Sequence, residues 1–175
     1  DLALWDLRAK RAGQPLVTVL GGQPGTRLPA YCTTWIDEGP GVRAAVDAGF
    51  QAVKLAGIGR LDPRTDLRAL VDLVASARRI AGDDVALMAD AGMGWRDAAA
   101  ALEAAEALAA YDLTWLEEPL PADDLAGYSW LCERSPVPIA GGEHEYTAAG
   151  FGQLMQCQAH AMYQPDVTWC GGLTE

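Results

Sequence analysis

Asp90, Glu117, Glu143 and Asp166 each stand at the end of a short, mostly apolar stretch: VALMAD, LTWLE, PIAGGE and AMYQPD. They fall 27, 26 and 23 residues apart. Apolar runs separated by helix-like stretches read as parallel strands, here with an acid at each carboxyl end. Tips of neighbouring strands lie about 4.8 Å apart, so carboxylates there share one space and repel unless a cation answers them. All-oxygen donors without clustered His or Cys select a hard ion. Mg2+, which keeps waters and leaves positions for substrate oxygens, is the natural choice. From spacing alone, unrelated strand-end acids paired with helix amino termini or arginines stand equally well.

The stretch TWLEEP places Glu117 and Glu118 side by side before Pro119. Successive residues of an extended strand point to opposite faces, so one of the two enters the common space. The other turns toward the helices, where a salt bridge or water satisfies it, and Pro119 ends the strand.

The elements that must carry these acids are legible in the periodicity. Helices are expected over 2–12, 42–48, 62–81, 97–112, 125–133 and 147–157, with a short helical turn before Gly21 and Gly22. Strands are expected over 28–35, 50–55, 85–90, 113–118, 138–143 and 161–166. A closed eight-stranded barrel uses roughly 30 residues per βα unit and builds its active site at the carboxyl ends of its strands. The acid spacing fits that plan. An open nucleotide-binding sheet would carry a glycine-rich loop after its first strand, and IDEGPG is no such loop. The expected fold is therefore α/β, a TIM-like (β/α) barrel of about six units, and incomplete.

Composition bounds the partners. With 13 Lys and Arg against 24 Asp and Glu, the 175-residue chain carries a formal charge of -11. No basic stripe is present, so neither nucleic acid nor an anionic membrane is an expected partner. No apolar run reaches the length of a membrane span and no signal-peptide layout opens the chain, which makes a cytoplasmic setting the default. Cys32, Cys132, Cys157 and Cys170 form no CxxC pair and read as reduced structural thiols.

The segments LMADAGMGW, WLEEPLPADD and PIAGGEHEYT, in this order and spacing, resemble the metal-ligand segments of the mandelate racemase and muconate lactonising branch of the enolase superfamily. The opening ALWDLRAKRAGQPLVTVLGG resembles that branch's signature segment. The resemblance covers essentially the whole chain. It implies a Mg2+ held by Asp90, Glu117 and Glu143, and abstraction of the proton alpha to a carboxylate. A metal stabilises the enediolate where its charge forms. It also implies that Lys54 lies near the substrate carboxylate and that Asp166 orients a histidine base from a seventh strand. His144 is the better of the two histidines for a polar contact to substrate, although alternation would turn it away from Glu143.

Two departures sharpen the reading. The family often carries Lys-x-Lys on strand two, whereas this chain reads Lys54-Leu55-Ala56. A racemase needs acid-base groups on both faces of the carbon, so Ala56 argues against one and for a hydro-lyase. QPDVTWCGG resembles the rhamnonate dehydratase group, and the expected activity is dehydration of a small-molecule sugar acid. Gly92 stands where the family commonly has Asn, so one polar contact is missing. Residues 1–175 are expected to form part of a C-terminal barrel domain, without a capping domain or strands seven and eight, inactive alone and a homo-oligomer when complete. The competing readings are an epimerase, racemase or cycloisomerase of the same branch, or a noncatalytic scaffold.

Overall fold

Helix α1 (Leu2–Ala12) stops at Gly13, whose φ of 62° is the left-handed conformation a glycine adopts without strain. A single helical turn, α2 (Leu16–Val19), follows. Strands and helices then alternate: β1 (Cys32–Trp35), α3 (Gly39–Asp47), β2 (Ala52–Ala56), α4 (Pro63–Ala81), β3 (Ala86–Asp90), α5 (Ala98–Leu108), β4 (Leu113–Glu117), α6 (Leu125–Arg134), β5 (Ile139–Gly141), α7 (Thr147–Gln156) and β6 (Met162–Tyr163). This computed structural model describes residues 1–36 and 39–175; Asp37 and Glu38, within IDEGPG, lie outside the described residues. No helix among the described residues is long and apolar enough to cross a membrane.

All six strands run parallel in the order β1-β2-β3-β4-β5-β6, with β1 and β6 at the edges. This is the arrangement that right-handed βα units produce when each strand is laid beside its predecessor. Helices α3, α4, α5 and α6 pack side by side on one face. Between them and the sheet lies the core, in which Val53, Leu55, Leu70, Val74, Leu87, Leu116, Leu131 and Ile139 are essentially buried. Helix α4 begins as its sequence dictates: Asp62 accepts the amide of Arg64 and Pro63 occupies the first turn. Asp97 caps α5 in the same manner through the amides of Ala99 and Ala100.

Several strands are shorter than the apolar runs suggested. β1 starts at Cys32 rather than 28, and Leu28 is exposed. β5 stops at Gly141, two residues before Glu143, and β6 covers only Met162–Tyr163, so Asp166 lies on the loop beyond it. These stretches contain Pro29, Gly142 or Pro165, none of which supports an extended ladder.

The pairing of β3 with β4 is irregular. Leu87 faces Leu113 and Ala89 faces Leu116, so three residue steps on β4 match two on β3, as in a bulge. Leu113 and Leu116 thereby share the helix-facing side despite their odd spacing, and both belong to the core. Beyond the shift Asp90 pairs with Glu117, and Glu117 with Ala140. The opposite side of the sheet carries Lys54, Ala56, Met88, Asp90 and Glu117, since Lys54 pairs with Met88 and Ala56 with Asp90.

Loops at the carboxyl end of the sheet are bound to one another. Backbone bonds run from Gly57 N–H to Asp90, from Ala91 N–H to Glu117 and from Glu118 N–H to Ala140. Gly59 and Gly94 lie back to back: a Cβ on Gly94 would stand 2.4 Å from the Gly59 carbonyl oxygen. Trp95 closes the same joint, its indole N–H donating to the Leu61 carbonyl at 2.8 Å.

Candidate metal centre

Strand ends β2, β3 and β4 bring three charged side chains to one point. Lys54 Nζ donates to Glu117 Oε1 at 2.7 Å and lies 3.0 Å from Asp90 Oδ2. Glu117 is 1% exposed. A carboxylate removed from water to that degree is costly unless charge and hydrogen bonds replace the water. Both replacements are present: Trp115 Nε1 donates to the second oxygen, Oε2, at 2.9 Å. Asp90 is similarly held, with the Gly92 amide donating to Oδ1 at 2.9 Å. Every oxygen of the two carboxylates therefore has a donor, and Lys54 is shared between them.

Lys54 is itself 7% exposed. Burial pulls its pKa down, but the hydrogen bond to Glu117 and the charges of Asp90 and Glu117 outweigh burial and raise it well above the ordinary lysine value. It stays charged as an ammonium. Its charge also lies 5.7 Å from the ring centre of Tyr31, which meets Trp115 edge-on at 5.9 Å.

Glu118 differs from the expectation of a bystander on the helix side. The strand ends at Glu117, and Glu118 has φ of 39°, in the left-handed region. That turn breaks the two-residue alternation, so adjacent carboxylates are both buried, Glu118 to 3% exposure. Its partner is His144, whose Nδ1 lies 3.2 and 3.1 Å from the two carboxylate oxygens. Burial pushes the Glu118 pKa up, His144 opposes the rise, and the charge of Glu143 adds to it.

Glu143 and His144 occupy a turn rather than an extended segment, so alternation does not separate them, and His144 Nδ1 stands 3.8 Å from Glu143 Oε1. Among the described residues, Glu118, Glu143 and His144 are the group of three whose ligand atoms all lie within 4.8 Å. Asp90, Glu117 and Glu143 are not drawn that closely together. Asp90 and Glu143 nevertheless line one cleft of about 400 Å³, with Trp35, Ala56, Arg60 and the glycines at 57, 59, 92 and 94. The glycines leave it roomy, and Ala56 opens it where a second lysine would close it.

Asp166 is exposed and lies on the loop after β6. Its Oδ1 accepts the Thr168 amide at 2.7 Å and hydroxyl at 2.6 Å, and these bonds hold its pKa below the usual carboxylate value. His144 meets Trp169 of that loop edge-on at 5.9 Å.

Trp115 gave no signal in the sequence, where it reads as one more apolar strand residue. Residues two apart on a strand share a face, so Trp115 and Glu117 go together, and the register shift after Leu113 puts the pair on the side away from the helices. Mg2+ fits the donor chemistry here. A buried carboxylate, Glu117, and a half-buried one, Asp90, already converge on a cation, and a third, Glu143, lines the same open cleft as Asp90, a set suited to a hard oxygen-seeking ion.

Residues 41–175 match the family described as "Enolase C-terminal domain-like". The chain is 38% identical over 178 residues to L-rhamnonate dehydratase of Saccharopolyspora erythraea, covering 100% of this chain and 44% of that protein. It is 37% identical over 180 residues to 3,6-anhydro-alpha-L-galactonate cycloisomerase of Streptomyces coelicolor, covering 99% and 48%. Among solved structures, L-talarate dehydratase from Polaromonas sp., complexed with Mg and L-glucarate, superposes with a TM-score of 0.84 at 34% identity, over 98% of this chain and 48% of that one. The chain thus spans about half the length of these relatives. With its six parallel strands, acid-bearing strand ends and these matches, the chain belongs to the enolase C-terminal domain-like family of the enolase superfamily.

Proposed function

We propose that this chain holds Mg2+ through Asp90, Glu117 and Glu143 and serves a hydro-lyase that dehydrates a sugar acid after removal of the proton alpha to its carboxylate. The observation that carries the reading is the convergence of buried Glu117 and half-buried Asp90 on one cationic centre at the strand ends. Bound there, the ion supplies positive charge against the charge that develops on the substrate carboxylate as the proton leaves. Lys54, carried by the neighbouring strand, adds a second positive charge on the substrate side. The loops joined at Gly59 and Gly94 keep the acids in register, and the cleft beside them admits a small polar substrate. His144, next to the cleft-lining Glu143, is assigned to substrate hydroxyl contact, and Asp166 to orienting a base.

A cycloisomerase of the same family is the second reading, favoured by the near-equal identity to the anhydrogalactonate cycloisomerase. Ala56 keeps the dehydratase first, because the cleft wall offers no second lysine to act on the opposite face of the carbon.

Titration calorimetry with Mg2+ tests the centre: Glu117→Gln and Glu143→Gln are expected to weaken binding at least about tenfold, given the loss of a charged ligand. Unchanged affinity in both variants sinks the metal assignment. For the reaction, sugar acids are screened for a 2-keto-3-deoxy product. Exchange of the alpha proton with solvent, without loss of water, favours the second reading.

A further inference from the structure

We propose that Lys54 is a built-in, displaceable counter-ion: its ammonium occupies the place between Asp90 and Glu117 until a divalent cation takes it, and so sets the affinity of the centre. This deepens the metal-centre reading above and rests on it. The four carboxylate oxygens receive their hydrogen bonds from Lys54, Trp115 and Gly92. Of these donors, the Gly92 amide is backbone and the Trp115 indole is neutral. Lys54 alone is charged, and it alone bridges both acids, at 2.7 and 3.0 Å.

A metal ion coordinating both carboxylates, at about 2.0–2.1 Å from its oxygens, cannot share that position with an ammonium. The two cations also repel at such separations, the more so because Lys54 and Glu117 are nearly shut off from water. Lys54 must therefore leave at least one acid when the ion enters. Tyr31 provides somewhere to go, because the ammonium already lies 5.7 Å from its ring centre, and an aromatic face partly replaces the lost anion. Trp115 and Gly92 stay in place and keep both carboxylates aimed while the exchange occurs. The site is thereby preassembled at the cost of a competitor inside it.

The test is Lys54→Met, which keeps the aliphatic stem and removes the charge. Two opposite effects are expected. In chelator, the variant melts roughly 5–15 °C below the parent, since Glu117 loses its charged partner. In titration calorimetry it binds Mg2+ about tenfold or more tightly, and saturating Mg2+ raises its melting temperature more than it raises the parent's. A purely structural lysine gives the first effect without the second. Equal or weaker Mg2+ affinity in Lys54→Met, with the parent binding normally, overturns the counter-ion role and leaves the metal centre standing. If neither protein binds Mg2+, the metal-centre reading itself fails and this one with it. Should Lys54→Met be unfolded in chelator, circular dichroism follows its recovery with Mg2+. Recovery supports the proposal, and failure to recover while Lys54→Met/Glu117→Gln folds overturns it.

Discussion

Glu117 is a nearly inaccessible anion, and its two oxygens are answered by donors of different kinds, one charged and one neutral. That an acid stands at the end of β4 is plain from LTWLEE, and so are Asp90 closing VALMAD and Lys54 as the one charge within AVKLA. The partnership of Trp115 is not, because nothing in an apolar strand says which aromatic will turn its N–H toward a carboxylate. His160 is a second case in which the residue type says little and the surroundings say much. It is 7% exposed, edge-on to Tyr128 at 4.6 Å, and burial pushes its pKa down from 6.5 to about 4. The folded form therefore binds less proton than the unfolded chain between these values, so stability rises with pH across that window and is lost as pH falls from about 6.5 toward 4. The loss reaches at most about 3.4 kcal/mol, from 1.36 kcal/mol per pH unit over about 2.5 units. Urea denaturation at pH 7 and pH 4.5 is expected to show a smaller acid loss in His160→Phe than in the parent. An identical loss in both would place the acid sensitivity elsewhere.

Two devices act between elements. The irregular register of β3 and β4 decides which face each residue of LTWLE takes, and a strict count from Leu113 would put Glu117 on the helix side. The alternation rule therefore names the choice between Glu117 and Glu118 without settling it. Glu118 escapes the rule altogether by its left-handed backbone. The second device is the contact of the loops after β2 and β3 through Gly59 and Gly94. A methyl group on Gly94 meets backbone, which cannot step aside, so Gly94→Ala is expected to destabilise by about 1–3 kcal/mol and to weaken Mg2+ binding as Asp90 shifts. Gly152 in α7 has no atom within 4 Å of a would-be Cβ. Gly152→Ala is accordingly expected to be neutral or stabilising by up to about 1 kcal/mol. Thermal denaturation of both variants checks the pair, and equal destabilisation would show that helix or loop propensity, rather than the close approach, governs.

At the scale of the whole molecule, the acidic excess of -11 creates a diffuse attraction for any cation, distinct from a built centre. The two differ in their response to salt, because surface attraction is screened at high ionic strength while a buried pair is screened little. Mg2+ at 100 times its dissociation constant is expected to stabilise the fold by about 2.7 kcal/mol. That gain should persist in high NaCl and fall to about 1.4 kcal/mol or less in Glu117→Gln at the same Mg2+ concentration. A gain abolished by NaCl would mark diffuse binding only. By itself the sequence determined the alternation of strands and helices, the parallel sheet, the acids at its strand ends and the exclusion of a basic binding face. Those features follow from local periodicity, capping residues and composition, each read within a few residues. Tertiary structure alone decided that Glu117 faces Lys54, that Trp115 completes its hydrogen bonding, and that Glu118 and His144 pair. These depend on a register shift and a backbone turn, which arise only when one strand is laid against another.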